Sequence, residues 1–267
     1  MKGIVTYLLI IFLFLFFLGG VGSFYLSRFE VKSTYPNEYV YKYIAHAGGG
    51  IDGMTYTNSL EAVNQSLLKG FKVIELDLIK SSDGVLIAAH DWSNFKHIIG
   101  YKNFTDEPMH SVEIKRSKIY HKYTPITEVD IKRILFANPD VLLFTDKTND
   151  FGLIKKLGFS SRVYVEIFGI FDYFKAVSNG IDNPVLNVDV GQMGYAFDIL
   201  TILLVKPKLV VLSEATVNRN PYYMNWLYHR GLKIFIYTSD DPSFINDVIN
   251  KYEATIYVDF YNLDTTT

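Results

Sequence analysis

Short apolar, β-rich runs with polar ends recur along most of the chain, at residues 41–45, 72–78, 85–89, 141–145, 162–167, 185–190, 209–213, 233–238 and 255–259. Between them lie stretches whose apolar positions follow helical spacing: 58–69, 127–136, 150–157, 171–179, 195–204, 221–229 and 243–251. In 58–69 the apolar positions are Leu60, Val63, Leu67 and Leu68, with Thr57 or Asn58 as the expected N-cap. The run 85–89 is entered through a turn at Ser82, Asp83 and Gly84. Strand alternating with helix predicts parallel βαβ units. Eight or nine such strands are enough to close a (β/α)8 barrel of the TIM type. A doubly wound open sheet is the competing topology. Its usual phosphate loop is missing, because HAGGG at 46–50 lacks the spacing G-x-G-x-x-G. Residues 92–125 interrupt the pattern. They are polar and aromatic with weak periodicity, including Tyr101, Phe104, Tyr120 and Tyr123. They read either as an insertion over the site, shaping a lipid or sugar pocket, or as a plain packed excursion.

The N-terminus follows a different rule. No charged side chain occurs from residue 3 to residue 26, and 5–17 is dense in Leu, Ile and Phe with no polar face. Roughly 20 such residues in a helix span a bilayer core. The segment 1–28 is therefore read as a transmembrane signal anchor, 29–39 as a linker and 40–267 as the barrel domain. The glycines at 19, 20 and 22 offer small residues for cleavage, but no A-x-A pattern accompanies them, so an uncleaved anchor is favoured over a cleaved signal. Lys2 on one side and Arg28 and Lys32 on the other leave orientation open. The reading adopted places the barrel outside the cytoplasm on a single-pass membrane anchor.

Composition narrows the chemistry. Of the 267 residues, 49% are hydrophobic and 20% charged, so a large core can form and disorder is disfavoured. A formal net charge of −2 argues against a nucleic-acid binder relying on a broad basic face. There is no cysteine, which removes disulfides, thiolate ligands and cysteine nucleophiles. Any metal must be held by oxygen or imidazole. That favours Mg²⁺, Ca²⁺ or Mn²⁺ over structural zinc.

Polar residues gather where the apolar runs end. The runs lead to His46, to Glu75 and Asp77, to His90 and Asp91, to Asp146 and Lys147, to Glu166, and to Ser213 and Glu214. In a (β/α)8 barrel these strand ends form the active face. Glu75 and Asp77 are two apart on a strand and share a side. Either a divalent ion bridges them or a Lys or Arg pairs with them. A single histidine after an apolar strand is usually a satisfied buried side chain; two beside a carboxylate pair shift the balance towards acid–base chemistry. Asp146 is a further candidate ligand. Lys147 could face phosphate if the backbone bends there, and a solvated rim pair with Asp146 is the alternative.

Four motifs, IAHAGG at 44–49, TNSLEA at 57–62, VIELDL at 73–78 and SDGVLIAAHD at 82–91, resemble the signature of glycerophosphodiester phosphodiesterases, a family of phospholipase C-like phosphodiesterase barrels. The resemblance is closest over 43–92 and continues more loosely through 142–147 and 234–259. It implies a catalytic pair in His46 and His90, metal ligands in Glu75, Asp77 and Asp146, a phosphate contact at Lys147, and a divalent ion as cofactor. The implied reaction is metal-dependent hydrolysis of a phosphodiester small molecule or lipid head group. Two positions depart from the family. Ala47 stands where the family has Arg, and Thr57 where it has a metal-binding Glu, with Asp52 or Glu61 as possible substitutes for the latter. A related branch with a different alcohol is therefore expected. A transferase or lyase of envelope lipid or polysaccharide metabolism, and an inactive binding protein on the same barrel, are the competing functions.

Overall fold

The computed structural model describes residues 34–38, 41–189, 194–261 and 263. Nine strands lie among the described residues: β1 (Tyr43–Ala45), β2 (Val73–Lys80), β3 (Leu86–Ala88), β4 (Leu142–Asp146), β5 (Val163–Phe168), β6 (Asn183–Asn187), β7 (Leu209–Ser213), β8 (Lys233–Tyr237) and β9 (Thr255–Val258). Eight of them run parallel in the order β1, β2, β4, β5, β6, β7, β8, β9. Ala45 of β1 pairs with Ile74 of β2 on one side and Val258 of β9 on the other. That double pairing closes the barrel and removes the open-sheet alternative. The ninth strand, β3, is antiparallel to β2, with Leu78 opposite Ala88 and Lys80 opposite Leu86. The segment 85–89 is therefore the return arm of a hairpin rather than a barrel stave. Pairing with it carries β2 two residues beyond the expected end.

Ten α-helices complete the described chain: α1 (Leu60–Leu68), α2 (Trp92–Ile98), α3 (Ser111–Arg116), α4 (Glu128–Ala137), α5 (Phe151–Lys156), α6 (Ile170–Ser178), α7 (Tyr195–Val205), α8 (Glu214–Arg219), α9 (Pro221–His229) and α10 (Pro242–Tyr252). Most begin on a side-chain cap. Ser59 accepts from the Ala62 N–H ahead of α1, and Thr127 and Asp130 form a capping box at α4. The α1 cap is thus Ser59, not Thr57 or Asn58. Asn58 is left-handed, with φ 48°, and its amide is committed to Asp77, while the Thr57 hydroxyl lies 3.0 Å from that of Ser59.

Period-two alternation sorts the strand residues into two cores. Ile74, Leu76 and Leu78 of β2 point outward under the helices, with Leu143, Val165 and Leu212. Val73, Phe144, Tyr164, Val211, Phe235 and Tyr257 fill the interior. The interior is sealed at the N-terminal ends of the strands by Tyr35, within the segment read as a linker. Its ring meets those of Phe144, Tyr164 and Phe235 at 5.0–6.1 Å between centroids. Its hydroxyl donates to the Tyr41 carbonyl at 2.5 Å.

The excursion 92–125 holds two short helices and a small core of its own, including Trp92, Phe95, Ile114, Ile119 and Tyr123. It is a packed excursion. None of its residues lines the cavity at the strand ends described below. Among the described residues, no helix is long and apolar enough to cross a membrane. The proposed anchor, 1–28, lies outside the described residues.

Candidate active site

The same alternation that fills the interior with apolar rings delivers polar groups higher up each strand. Inward positions on β2 run Val73, Glu75, Asp77. On β4 they run Leu142, Phe144, Asp146, and on β5 Tyr164, Glu166. Asp77 and Asp146 are direct partners in the parallel register of β2 and β4, so their carboxylates emerge side by side. The result is a cavity of about 240 Å³ at the C-terminal ends of the strands, lined by His46, Tyr56, Glu75, Asp77, His90, Asp146, Lys147, Glu166, Phe168, Tyr237 and Tyr257. All six residues singled out from the sequence are in this wall. Ser213 and Glu214 are not; the Ser213 hydroxyl instead donates to Asp189 and caps α8.

Each histidine is held by a carboxylate. His46 is buried and places Nδ1 3.0 Å from Asp259 Oδ1. A carboxylate only accepts, so Nδ1 carries the proton and Nε2 is the nitrogen free for chemistry. His90 is exposed, follows β3 on the hairpin rather than a barrel strand, and has Nδ1 2.7 Å from Asp91 Oδ2. Tyr56 stands between them, edge-on to His46 at 4.5 Å and to His90 at 5.8 Å between ring centroids.

Glu75, Asp77 and Asp146 are buried and offer ligand oxygens within 4.8 Å of one another. Asn58 holds Asp77 from two directions: its Nδ2 donates to Oδ2 at 2.8 Å, and its Oδ1 accepts the Asp77 N–H at 3.1 Å. The Ala47 N–H donates to Glu75 Oε2 at 2.7 Å. Ala47 is left-handed, with φ 48°, so the residue that replaces the family's Arg serves Glu75 through its backbone. The turn that sets this geometry leaves no room for a side chain at Gly49 or Gly50. A Cβ on Gly49 would collide with Ser66 Oγ, and one on Gly50 with the Phe260 ring.

The cluster is electrostatically unbalanced. Burial, then Asp77 and Asp146, push Glu75 well above the usual carboxylate range. Burial, then Asp77 and Glu166, do the same to Asp146. Burial also takes Glu166 up to about 7. Lys147, left-handed with φ 61°, bends into the cavity, its Nζ 2.8 Å from Asp146 Oδ2 and 3.6 Å from Asp77 Oδ1. Burial pulls its ammonium down, but Asp146 and Asp77 outweigh that and hold it above the ordinary lysine value. The Lys pairing that the sequence left open is therefore present, inside the cavity rather than on the rim. One ammonium nevertheless faces four carboxylates, and Asp146 Oδ1 is buried with no hydrogen-bond partner. A divalent cation fits that deficit and that orphaned oxygen.

The two proposed substitutes for Thr57 are engaged elsewhere. Asp52 pairs with Lys122 and accepts from the Tyr123 hydroxyl, and Glu61 accepts from the Thr124 N–H and hydroxyl. Neither lines the cavity. Sequence reasoning gave Glu166, Asp259, Asn58, Tyr56, Tyr237 and Tyr257 no role in the chemistry of the site, and took Asn58 only as a candidate helix cap. Glu166 and Asp259 did carry a signal, being the polar ends of apolar runs. The tyrosines carried none among the 20 in the chain.

The glycerophosphoryl diester phosphodiesterase family model matches residues 46–151, the segment that supplies His46, Glu75, Asp77, His90, Asp146 and Lys147. Solved structures share the whole barrel. A glycerophosphodiester phosphodiesterase from Thermotoga maritima is 17% identical at a TM-score of 0.63, over 82% of this chain and 93% of that one. One from Agrobacterium tumefaciens is 17% identical at 0.60, over 82% and 95%. An Oleispira antarctica phosphodiesterase, solved with its product sn-glycerol-3-phosphate, is 15% identical at 0.62, over 81% and 92%. No curated protein sequence matches the chain. At these identities the likeness establishes the fold, and the site rests on the residues.

Proposed function

We propose that the chain, whose residues 46–151 match the glycerophosphoryl diester phosphodiesterase family model, is a metal-dependent phosphodiester hydrolase acting on a glycerophosphodiester. The observation that carries this reading is the meeting, in one cavity, of two carboxylate-held histidines with a three-carboxylate cluster. Glu75, Asp77 and Asp146 would hold a divalent ion, Mg²⁺, Ca²⁺ or Mn²⁺. When bound, such an ion neutralises charge developing on the phosphate.

The chain's own groups do the rest. Asp259 fixes the His46 ring so that Nε2 can exchange a proton with an oxygen at phosphorus. Asp91 fixes His90 in the same way. One histidine takes the proton of the attacking water, and the other returns one to the departing alkoxide. Lys147 presents a permanent positive charge to the phosphate. Tyr56 keeps the two imidazoles apart.

We extend the reading to a membrane-tethered enzyme with its barrel outside the cytoplasm. The uncharged run at 3–26 supports the tether. Tyr35, packed at the barrel end opposite the cavity, supports a geometry in which a tether leaves the cavity mouth free.

The deciding experiment assays the full chain in detergent against glycerophosphodiesters, lysophospholipids and bis-p-nitrophenyl phosphate, with each metal or EDTA and with His46→Ala as control. Metal-dependent cleavage that disappears in the variant is the expected result. Metal-independent cleavage, or turnover that survives in His46→Ala, overturns the reading.

A further inference from the structure

We infer that the end of the barrel opposite the cavity is a docking face for an anionic lipid bilayer, so that the barrel stands on the membrane with its cavity opening away from it. The inference deepens the tether reading above and rests on it. Three observations converge on this end. The first is where the described chain enters. The Thr34 carbonyl accepts from the Tyr164 hydroxyl, and Tyr35 packs against Phe144, Tyr164 and Phe235 at the N-terminal ends of the strands. Residues 27–33 separate Thr34 from the uncharged run at 3–26. At no more than about 3.6 Å per residue, they hold this end within about 30 Å of a membrane spanned by that run.

The second observation is charge. In a (β/α)8 barrel the C-termini of the helices share an end with the N-termini of the strands. At that end Lys69 follows α1, Lys155 and Lys156 close α5, Lys206 follows α7, Lys208 precedes β7 and Arg230 follows α9. All six are exposed, and none is in an ion pair among the described residues. They outnumber the acids there, Glu38, Asp182 and Glu253, while Asp140 is paired with Lys72. The helix dipole favours cations at helix C-termini but does not account for Lys208, which lies outside any helix. The third observation is apolar exposure. Leu68, the last residue of α1, is 89% exposed, and Phe136, next to last in α4, is 81% exposed. These helices are neighbours, since Val63 of α1 and Ile131, Ile134 and Leu135 of α4 line one small apolar void. A bilayer interface takes up both side chains and sets the surrounding ammonium groups against its phosphates. Phe171 and Tyr222 are as exposed at the cavity end, but there four carboxylates face Lys147, and an anionic surface is repelled.

The chain has no cysteine, so Ala137→Cys, beside Phe136, and Ala215→Cys, in the first turn of α8 at the cavity end, each give the full chain a single labelling site. Each variant is labelled with an environment-sensitive dye and reconstituted into vesicles that carry nitroxide-labelled lipid, made of phosphatidylcholine alone or mixed with phosphatidylglycerol. The expected result is quenching at Ala137 and not at Ala215, several-fold stronger with phosphatidylglycerol and lost at high salt. Leu68→Ser with Phe136→Ser should weaken the quenching several-fold, and so should Lys69→Glu with Lys156→Glu and Lys208→Glu. Both sets replace exposed side chains, and an unchanged thermal midpoint checks that they fold. Flotation with the vesicles after an alkaline carbonate wash reports the tether separately. Flotation without quenching at Ala137 leaves the tether standing and overturns the docking face. Loss of the chain in the wash removes the tether, and quenching at Ala137 before the wash still decides the docking face. Quenching at Ala215 instead, equal quenching on both lipids, or a dye shift at Ala137 without nitroxide quenching, the mark of a second copy, each overturns it.

Discussion

His46 and Asp259, 213 residues apart in sequence, meet at 3.0 Å between Nδ1 and Oδ1. Closure of the barrel makes the contact, because β1 and β9 are neighbours and His46 and Asp259 are the residues that follow their paired ends, Ala45 and Val258. Asp259 is itself braced, its backbone N–H donating to Asp240 at 2.9 Å. Replacing Asp259 with Asn keeps the shape but removes the charge, and an amide can hold the imidazole in the wrong tautomer. We expect kcat to fall by about 10²–10⁴-fold with little change in thermal midpoint. Wild-type turnover in Asp259→Asn would show that His46 needs no orienting partner.

The carboxylate cluster predicts a link between metal and stability. Glu75, Asp77 and Asp146 repel one another in a buried site with Lys147 as the ammonium beside them. A bound ion should therefore stabilise the fold, by about 2.7 kcal/mol at a hundredfold excess over its Kd. For a barrel of this size that is a rise of about 5–10 °C in thermal midpoint. Glu75→Gln should lose most of that rise. In EDTA it should be no less stable than the wild type, because one buried like charge is gone. A scan by differential calorimetry with and without Ca²⁺, Mg²⁺ or Mn²⁺ checks both halves. Equal metal responses in the two proteins would remove Glu75 from the ligand set.

Much of this was legible in the sequence, for a definite reason. Glu75 and Asp77 announce themselves because period two is the geometry of a strand, and an acidic pair at that spacing inside an apolar run calls for either a bridging ion or a basic partner. The barrel followed from strand–helix alternation. Less local facts were hidden. The segment 85–89 has a strand's composition, and only its antiparallel pairing with β2 shows that it lies outside the barrel. The N-cap of α1 moved to Ser59 because Asn58 is recruited by Asp77, a tertiary demand that capping preference does not contain. Asp259 and Glu166 end apolar runs as visibly as His46 does, but their partners come from distant strands.

Tyr35 gives a prediction at the other end of the barrel. Its ring is enclosed by Phe144, Tyr164 and Phe235, and the Tyr164 hydroxyl donates to the neighbouring Thr34 carbonyl at 2.5 Å. Truncation to Ala opens a gap beneath the interior layer and, because Tyr35 is half-buried, should cost about 2–3 kcal/mol, less than a fully buried aromatic. Urea unfolding measures the loss. The cavity residues lie at the opposite strand ends, so turnover well below the midpoint should persist. A loss under 1 kcal/mol would mean that the barrel end collapses around the gap.

Lys233 makes the stability of that same end depend on pH. It is the first residue of β8, with Nζ 5.4 Å from the Tyr35 ring centroid and donating to the Glu253 carbonyl at 2.7 Å. Burial, reinforced by Lys42, draws its pKa down from 10.5 to about 8. The unfolded chain therefore holds this proton more tightly than the folded one. Below about pH 8 both states are charged and the folded state carries the full cost. Between about 8 and 10.5 the folded state is neutral while the unfolded state still binds a proton, so the cost shrinks as pH rises. Above 10.5 it is gone. This group alone should raise stability by up to about 3 kcal/mol across that window. Lys233→Met should abolish the rise and be more stable than the wild type at pH 7, less whatever the lost hydrogen bond to Glu253 contributed. Urea denaturation of both proteins from pH 7 to 10.5 reads the difference directly. Parallel curves would place the Lys233 ammonium in contact with water rather than under the barrel.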